Sequence, residues 1–563
     1  MNEETADKRK ECLAELSELE MIRSPWDDKC REVTDYLFPY AGRYEDTRAN
    51  DGKDNTSLII DSTATYSQTI LSAGMLTFNN SRARPWFKLT LRNRDLAKRH
   101  AVRVWLAECT EIVHEVFQKS NTYPALRKSY DELGAFGTSC TILEPDFENV
   151  IWHHPVTNGR FYLADNFRGE IDTCYRKLSM TLAQLGGEFG VENLPLNLKQ
   201  DYTDKKNLHT RHDVIHAIRP RRERNRMSRR NKDKAWASLY FLKGGREDQG
   251  LLRESGFDTF PVLAPRWDTR GGDVYGNGPG FNTIGHIKQL QQEQLRKAQA
   301  IDQMSDPARQ GPSSLKDKDI DGAPGGFTPV DSTAPQNKVQ NLVDIRLDLS
   351  HLLLDIEDVR RMIRMHWFTD LFQTHIDAAD TQKTAEEIKA KTEEKMSVLG
   401  PVTGSLDREQ DMPLIKFTFE RLWIGGALPP VPEELAGEEI EIENVSVLAQ
   451  AQKAIGANQI DRFTSYVGMI GAAQPAAWDT FNTDLAIERY ADKLSVDPDL
   501  IVPGRERALI RDARAKAQAQ ADQAKIGLDQ AKATQALGST PIGAEQPTAL
   551  DAIARLTGVG GAG

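Results

Sequence analysis

Cysteine is scarce in this chain: five residues in 563, at Cys12, Cys30, Cys109, Cys140 and Cys174. The count is odd, the spacings are wide and no Cys-x-x-Cys occurs. That argues against a zinc ribbon or a disulfide framework and for reduced thiols. Long apolar runs are missing as well. No stretch of about 18 apolar residues exists, so no transmembrane helix is expected. The opening Met1-Asn2-Glu3-Glu4 is acidic and lacks the apolar core of a signal peptide. There is no basic excess either: 72 Lys+Arg against 83 Asp+Glu leave a net charge of −11. Proteins that grip nucleic acid neutralise phosphates with a surplus of Lys and Arg. The chain as a whole does not read as such a clamp, which leaves room for a local basic patch.

Catalytic signatures are also absent. No G-x-x-x-x-G-K-[ST] occurs; the Gly52-Lys53 pair runs into Asp54. Gly276-Asn277-Gly278-Pro279-Gly280-Phe281 superficially resembles a phosphate cradle, but Pro279 removes a backbone N–H where such a loop needs donors. It reads as a flexible entry into a helix. His209, His212 and His216 have metal-like spacing, yet the alternation of Val214, His216 and Ile218 makes a strand that spreads them. His153-His154, before Pro155, reads as loop. Neither a G-x-S-x-G elbow nor H-E-x-x-H is present. Asp54, Asp61 and Glu144 are the acids a nucleic-acid-processing enzyme would recruit; capping and loop solvation is their plainer use. No cofactor or metal site is expected.

What is present is length and helical periodicity. At roughly 150 residues per domain, 563 residues suggest about four units. Residues 1–40 read as two helices divided at Ser24-Pro25, where Ser caps and Pro opens the next turn. Helix is expected from Asp61 to Met75, then a turn into a short strand at Arg84-Pro85-Trp86-Phe87-Lys88-Leu89. Val102, Trp105, Leu106, Cys109, Ile112, Val113 and Val116 share one face of a helix over 97–120, and another helix covers 121–134. Residues 141–270 are strand-rich, with turns at Asn158-Gly159 and Arg168-Gly169. The fold class is therefore α+β, predominantly helical. A basic run (Arg219, Arg221, Arg222, Arg224, Arg226, Arg229, Arg230, Lys232, Lys234) falls in the hairpin between strands ending near Ile218 and starting at Ala235. It fits phosphates or an acidic partner, or else is a solvated tip.

The middle of the chain is the most distinctive. Residues 279–304 read as one Gln-rich helix, spanning about 40 Å at 1.5 Å per residue. A second long helix is expected from about Val339 to Phe372. The Pro/Gly/Asp-rich stretch between them is too long for an ordinary connection. Each helix carries only a thin apolar stripe, so the hairpin needs like neighbours to bury it, which points to an oligomer. Thr384 and Glu387 have capping-box spacing for a helix reaching Leu399 and stopping at Gly400-Pro401. A further helix holds Leu414, Phe417, Leu422 and Trp423. A short strand covers Ile440 to Val447, and helices broken near Pro498 and Pro503 cover 448–526. From 527 the chain is Ala/Gln/Gly-rich and is expected to be disordered.

The order of several motifs resembles the podovirus, T7-like portal proteins, the head-to-tail connector family. They are Asp61-Ser62-Thr63-Ala64 leading to Ala73-Gly74-Met75-Leu76; Arg84-Pro85-Trp86-Phe87-Lys88-Leu89; Ser120-Asn121-Thr122-Tyr123; Phe136-Gly137-Thr138; Thr181-Leu182-Ala183-Gln184-Leu185; Tyr275-Gly276-Asn277-Gly278-Pro279-Gly280; Thr384-Ala385-Glu386-Glu387-Ile388; and Leu428-Pro429-Pro430. The resemblance covers most of 20–435. It implies a ring, usually of twelve subunits, at one capsid vertex. Its wing corresponds to 1–275 and, with a tunnel-loop region, to 373–435. Its stem helices correspond to 276–304 and 340–372, its clip to 305–339, and its crown to 436–526, ahead of a disordered 527–563. The implied partners are the ring's own subunits, the large terminase, a tail adaptor, the major capsid and scaffolding proteins, and the double-stranded DNA that passes through; no membrane is involved. The implied location is the portal vertex of the virion, with synthesis in the host cytoplasm. Expected channel or tunnel-loop contacts are Arg296, Lys297, Gln373, Thr374, His375 and Lys383. Arg221, Arg222, Arg224, Arg226, Arg229 and Arg230 form the basic contact loop. Twelve copies at −11 carry about −130, which suits a sleeve that must not grip phosphates. A tail adaptor or minor capsid protein is the alternative within the structural class.

Overall fold

The computed structural model describes residues 3–38, 58–97, 99–225, 227–228, 230–244, 250–305, 309–310, 340–341, 350–373, 399–435, 440–444, 447–474, 480–494, 500–502 and 504–539. The chain divides into two compact units, Met1–Arg94 with Trp105–Gln452, and Asp95–Val104 with Lys453–Gly563.

The first unit opens with α1 (Glu3–Leu37). The expected break at Ser24-Pro25 does not occur, and Pro25 lies inside one helix. Proline costs a backbone bond there. Side chains on both sides of it hold the helix straight through: Cys12, Leu16 and Leu19 are buried before it, Cys30, Val33 and Leu37 after it. Arg23 Nε donates to Asp27 Oδ1 across it at 3.0 Å. α2 (Thr63–Asn79) leads to β1 (Phe87–Leu91), whose Phe87, Leu89 and Leu91 are buried in period two. α3 (Arg94–Ala97), α4 (His100–Lys119) and α5 (Thr122–Phe136) follow; Val102, Trp105, Leu106, Cys109, Val113 and Val116 of α4 are buried.

The strand-rich part makes two antiparallel sheets. β2 (Cys140–Asp146) pairs with β3 (Val150–Val156) and with β9 (Val262–Leu263). β4 (Phe161–Asp165), β5 (Ile171–Thr181), β6 (Arg211–Pro220), β7 (Trp236–Leu242) and β8 (Arg253–Phe257) form a five-stranded meander in that order. His153 and His154 therefore lie in a strand, where a loop was expected. β3 is an edge strand, and an edge tolerates the missing N–H of Pro155. The alternation read in β6 sorts its side chains: Ile215 and Ala217 pack with Cys12, Leu16 and Leu19 of α1, while Val214 joins the core of α6 (Leu182–Phe189) and α7 (Leu196–Thr203). α6 starts at a capping box in which Thr181 Oγ1 accepts from Gln184 N and Gln184 Oε1 accepts from Thr181 N. All five cysteines are buried free thiols.

α8 (Pro279–Ser305) fulfils the Gln-rich helix. β10 (Arg309–Gln310) pairs with β11 (Gln340–Asn341). The second long helix is shorter than expected: Gln340 and Asn341 are strand, α9 runs over Ser350–His366, and Phe368, at φ 53°, separates it from α10 (Thr369–Gln373). The expected helix from Thr384 lies outside the described residues, as does most of the stretch 305–339 expected as the clip. Gly400-Pro401 opens a helix: α11 (Gly400–Leu406) has proline in its first turn, where no N–H is required. It continues through one π-helical turn, Asp407–Asp411, into α12 (Met412–Ile424). β12 (Ile440–Asn444) then pairs antiparallel with β1.

α13 (Val447–Ala473) carries the chain into the second unit, which holds α14 (Thr483–Leu494) and α15 (Gly504–Ser539). Arg507 pairs with Glu488, and Arg511 reaches both Asp484 oxygens at 2.6 and 2.7 Å. The chain expected to be disordered from 527 is helical to Ser539, since Ala and Gln are good helix formers even with nothing to bury against.

Candidate functional site

The two long helices are antiparallel neighbours. Trp367 Nε1, just past α9, donates to Thr283 Oγ1 near the start of α8 at 3.0 Å. Polar residues of α8 that suit solvent in a lone helix are spent on an anchor. Gln291 is buried; its Oε1 accepts from Ile60 N (2.7 Å) and Asp61 N (2.8 Å), and its Nε2 donates to Asp61 O (2.8 Å). Gln294 Nε2 donates to Asp61 Oδ2 at 3.0 Å. Arg360 of α9 reaches the same oxygen with Nη2 (2.6 Å) and Nε (3.0 Å), while Oδ1 accepts from Thr63 N at the start of α2. Burial alone would raise the Asp61 pKa, yet hydrogen bonds from Thr63 and Arg360 hold it below the usual range. One carboxylate thus ties α2, α8 and α9 together, and its role is structural.

A second junction joins α5 to α8 through glycine. Gly137 caps α5 at φ 69°, a left-handed position that favours glycine. A Cβ on Gly278 would lie 2.8 Å from Gly137 N, and one on Gly280 would overlap Ala135 O. Thr138 Oγ1 accepts from Gly276 N at 2.8 Å. The run 276–280 is therefore not a flexible entry: its glycines are there because two backbones touch.

The π turn forms the third junction. Glu409 accepts from Arg266 N at 2.8 Å and pairs with its guanidinium. Asp411 is fully buried, accepting from Asn79 Nδ2 (3.0 Å) and Asn80 Nδ2 (3.2 Å). Burial, then the nearby Asp407, pushes its carboxyl up to about 7. Ser129 Oγ donates to Gln410 Oε1 at 2.8 Å in the same network.

Of the expected channel contacts, Arg296 is exposed and Lys297 half-buried on α8. Gln373 ends α10 and donates to Tyr66 OH at 2.9 Å. Thr374, His375 and Lys383 lie outside the described residues. The basic run does occupy the β6–β7 hairpin. Its roots are paired: Arg219 with Glu11 and Glu15, Arg221 with Glu254, Lys234 with Asp258. Arg222, Arg224, Arg230 and Lys232 are exposed at the tip; Arg226 and Arg229 are outside the described residues. Glu144 bonds Arg176 (3.0 Å) and lies 3.4 Å from His154; although burial raises it, His154 and Arg176 hold its carboxyl down at about 2. His216 is buried against Ser238 Oγ, and His153 against Thr122 Oγ1. Among the described residues no group of three or more His, Cys, Asp or Glu is arranged for a metal. The sequence reading missed the Gln291 clamp, the glycine contact and the π turn.

The family model for the bacteriophage head to tail connecting protein matches residues 9–502. The chain belongs to that family. Two curated relatives agree over nearly the whole length. The "probable portal protein" of Bordetella phage BPP-1 is 42% identical over 532 residues, 94% of this chain and 96% of its own. The "portal protein" of Salmonella phage epsilon15 is 36% identical over 552 residues, 98% and 99%. The chain is thus a phage head–tail connector of the portal type. Among solved structures, a chain of the virion of a native gene transfer agent particle covers 78% of this chain and 95% of itself at TM-score 0.30 and 11% identity. A chain from the neck of an empty particle covers 72% and 90% at TM-score 0.31 and 9% identity.

Proposed function

We propose that this connector assembles as a ring, of twelve subunits, at one capsid vertex, and that DNA enters and leaves the head through its channel. The observation that carries this reading is the match to portal proteins over almost the whole chain. The antiparallel pair α8–α9 supports it: Leu295, Ile301, Met304, Leu353 and Leu354 are exposed in the single chain, an apolar surface that like neighbours would cover. In this reading 276–304 and 340–372 form the stem, 305–339 the clip that docks first the large terminase and later the tail adaptor, 1–275 and 373–435 the wing, and 436–526 the crown. The major capsid and scaffolding proteins surround the wing. Synthesis takes place in the host cytoplasm. The protein carries no catalytic residues of its own; a separate ATPase supplies the work.

The net charge of −11 per chain suits a channel that surrounds DNA without holding it. Each phosphate gripped adds binding energy to be overcome at every step. Sparse cations at Arg296 and Lys297, with the 373–383 segment, supply brief contacts. Imaging of the purified full-length protein tests the assembly: rings with a central hole are expected, and a monomer under all conditions overturns it. Tight duplex binding with a steep salt dependence would overturn the non-adhesive sleeve.

A further inference from the structure

Two histidines face each other across the long helix pair. The ring centres of His286 on α8 and His366 at the end of α9 are 6.1 Å apart, with the planes tilted by 39°. Both residues are half-buried, so solvent reaches the pair. His366 Nδ1 lies 2.8 Å from Met362 O, one turn back on its own helix. A carbonyl oxygen only accepts, so Nδ1 carries the proton. In the neutral ring the lone pair is then on Nε2. That is the state of a ligating histidine, whose other ring N–H is held by a backbone carbonyl or a carboxylate.

The helices fix the pair from both sides. Trp367, next to His366, donates from Nε1 to Thr283 Oγ1 at 3.0 Å, and Thr283 lies three residues before His286. About two turns further along α8, Gln294 meets Arg360 of α9 at Asp61. The cations two residues from each histidine are balanced elsewhere, Lys288 by Glu32 of α1 and Arg364 by Glu357. Two imidazoles that share a zinc ion, each nitrogen at about 2.0–2.1 Å, have ring centres roughly 5–6 Å apart. A small rotation of either side chain brings the observed pair into that range.

We propose that His286 and His366 together bind a divalent transition-metal ion of the Zn²⁺ or Cu²⁺ class, which pins α9 to α8 just before the chain turns at Phe368. Imidazole suits these ions, and water completes the coordination. Mg²⁺ prefers oxygen ligands and is not held. The site belongs to a single chain, so it stands or falls separately from the ring.

Thermal melts of the full-length protein test it. Zn²⁺ at about a hundred times its Kd is expected to raise the melting temperature of the first unit by about 3 °C, and Mg²⁺ to leave it unchanged. His286→Ala and His366→Ala should each abolish the shift, and the double variant should lose no more than either alone. The paramagnetic resonance spectrum of wild-type protein with one equivalent of Cu²⁺ should show two coupled nitrogens. Absence of a Zn²⁺ response in the wild type overturns the proposal. A shift that survives both substitutions places the ion on other residues and overturns it too. If either variant fails to fold, the wild-type Cu²⁺ spectrum decides, and fewer than two nitrogens rules the pair out.

Discussion

Arg360 and Asp61 are 299 residues apart in sequence, yet two guanidinium nitrogens sit 2.6 and 3.0 Å from one carboxylate oxygen. Asp61 is buried and both its oxygens are used, so an amide there keeps one acceptor and puts an NH2 group where either Arg360 and Gln294 or Thr63 need the other. Asp61→Asn is expected to destabilise the first unit by about 3 kcal/mol. Urea unfolding followed by tryptophan fluorescence measures this. Because the folded pKa of Asp61 is depressed, its stabilisation is present above the unfolded value and fades as pH falls through the folded one. The gap between Asp61→Asn and the wild type should therefore narrow in acid; a pH-independent gap would refute the ion-pair account.

Two glycines on α8 give a matched pair. Gly280→Ala would drive a methyl into Ala135 O and should abolish soluble folded protein. Gly285, on the same helix, has open space around its Cβ position. Gly285→Ala is expected to stabilise by about 0.5–1 kcal/mol, the helix-propensity gain. Thermal melts of the two variants check the contrast, and equal behaviour would remove the backbone-contact explanation.

His114 packs against Phe87, ring centroids 4.3 Å apart and tilted by 32°, beside Trp86 and Phe117, and burial lowers its pKa from 6.5 to about 4. A depressed folded value means the stabilisation is complete above the unfolded pKa and lost as pH falls through the folded one. The wild type should lose about 2 kcal/mol from this group between pH 6.5 and 4. His114→Phe should flatten that part of the profile, measured as melting temperature against pH.

α15 is exposed along almost its whole length beyond Arg511. Deleting 516–563 is expected to lower helical ellipticity while leaving the melting transition of the first unit unchanged. A parallel drop in that transition would show that the terminal helix supports the rest.

Elements were legible where the signal is local. β6 alternates in period two because each side chain meets its own face of the sheet, and the α4 stripe repeats because one face is buried. Boundaries that depend on distant partners were not legible. Nothing near Gln291 reveals that residues 60 and 61 will lie against it. Gly276–Gly280 announced a special backbone, but whether the glycine serves freedom or closeness depends on Ala135 across the junction. Pro25 misled because a helix breaker is outweighed when both flanks are buried. His153 misled because Pro155 looks like loop until β3 is known to be an edge. The expected site divides the same way: Arg222, Arg224 and Arg230 lie in the hairpin where local pattern put them, while Thr374, His375 and Lys383, expected as channel contacts, lie outside the described residues.

The π turn at Asp407–Asp411 has a consequence for descent. A π turn takes up one more residue than an α turn, so shortening it by one residue returns a plain α-helix with α12 still in phase with α11. Leu414, Phe417 and Leu422 would keep their places in the core. What would change is the turn itself, which presents Gln410 and Asp411 to Ser129, Asn79 and Asn80. A homologue lacking that residue is therefore expected to differ in this buried polar network and to keep the face that α12 buries.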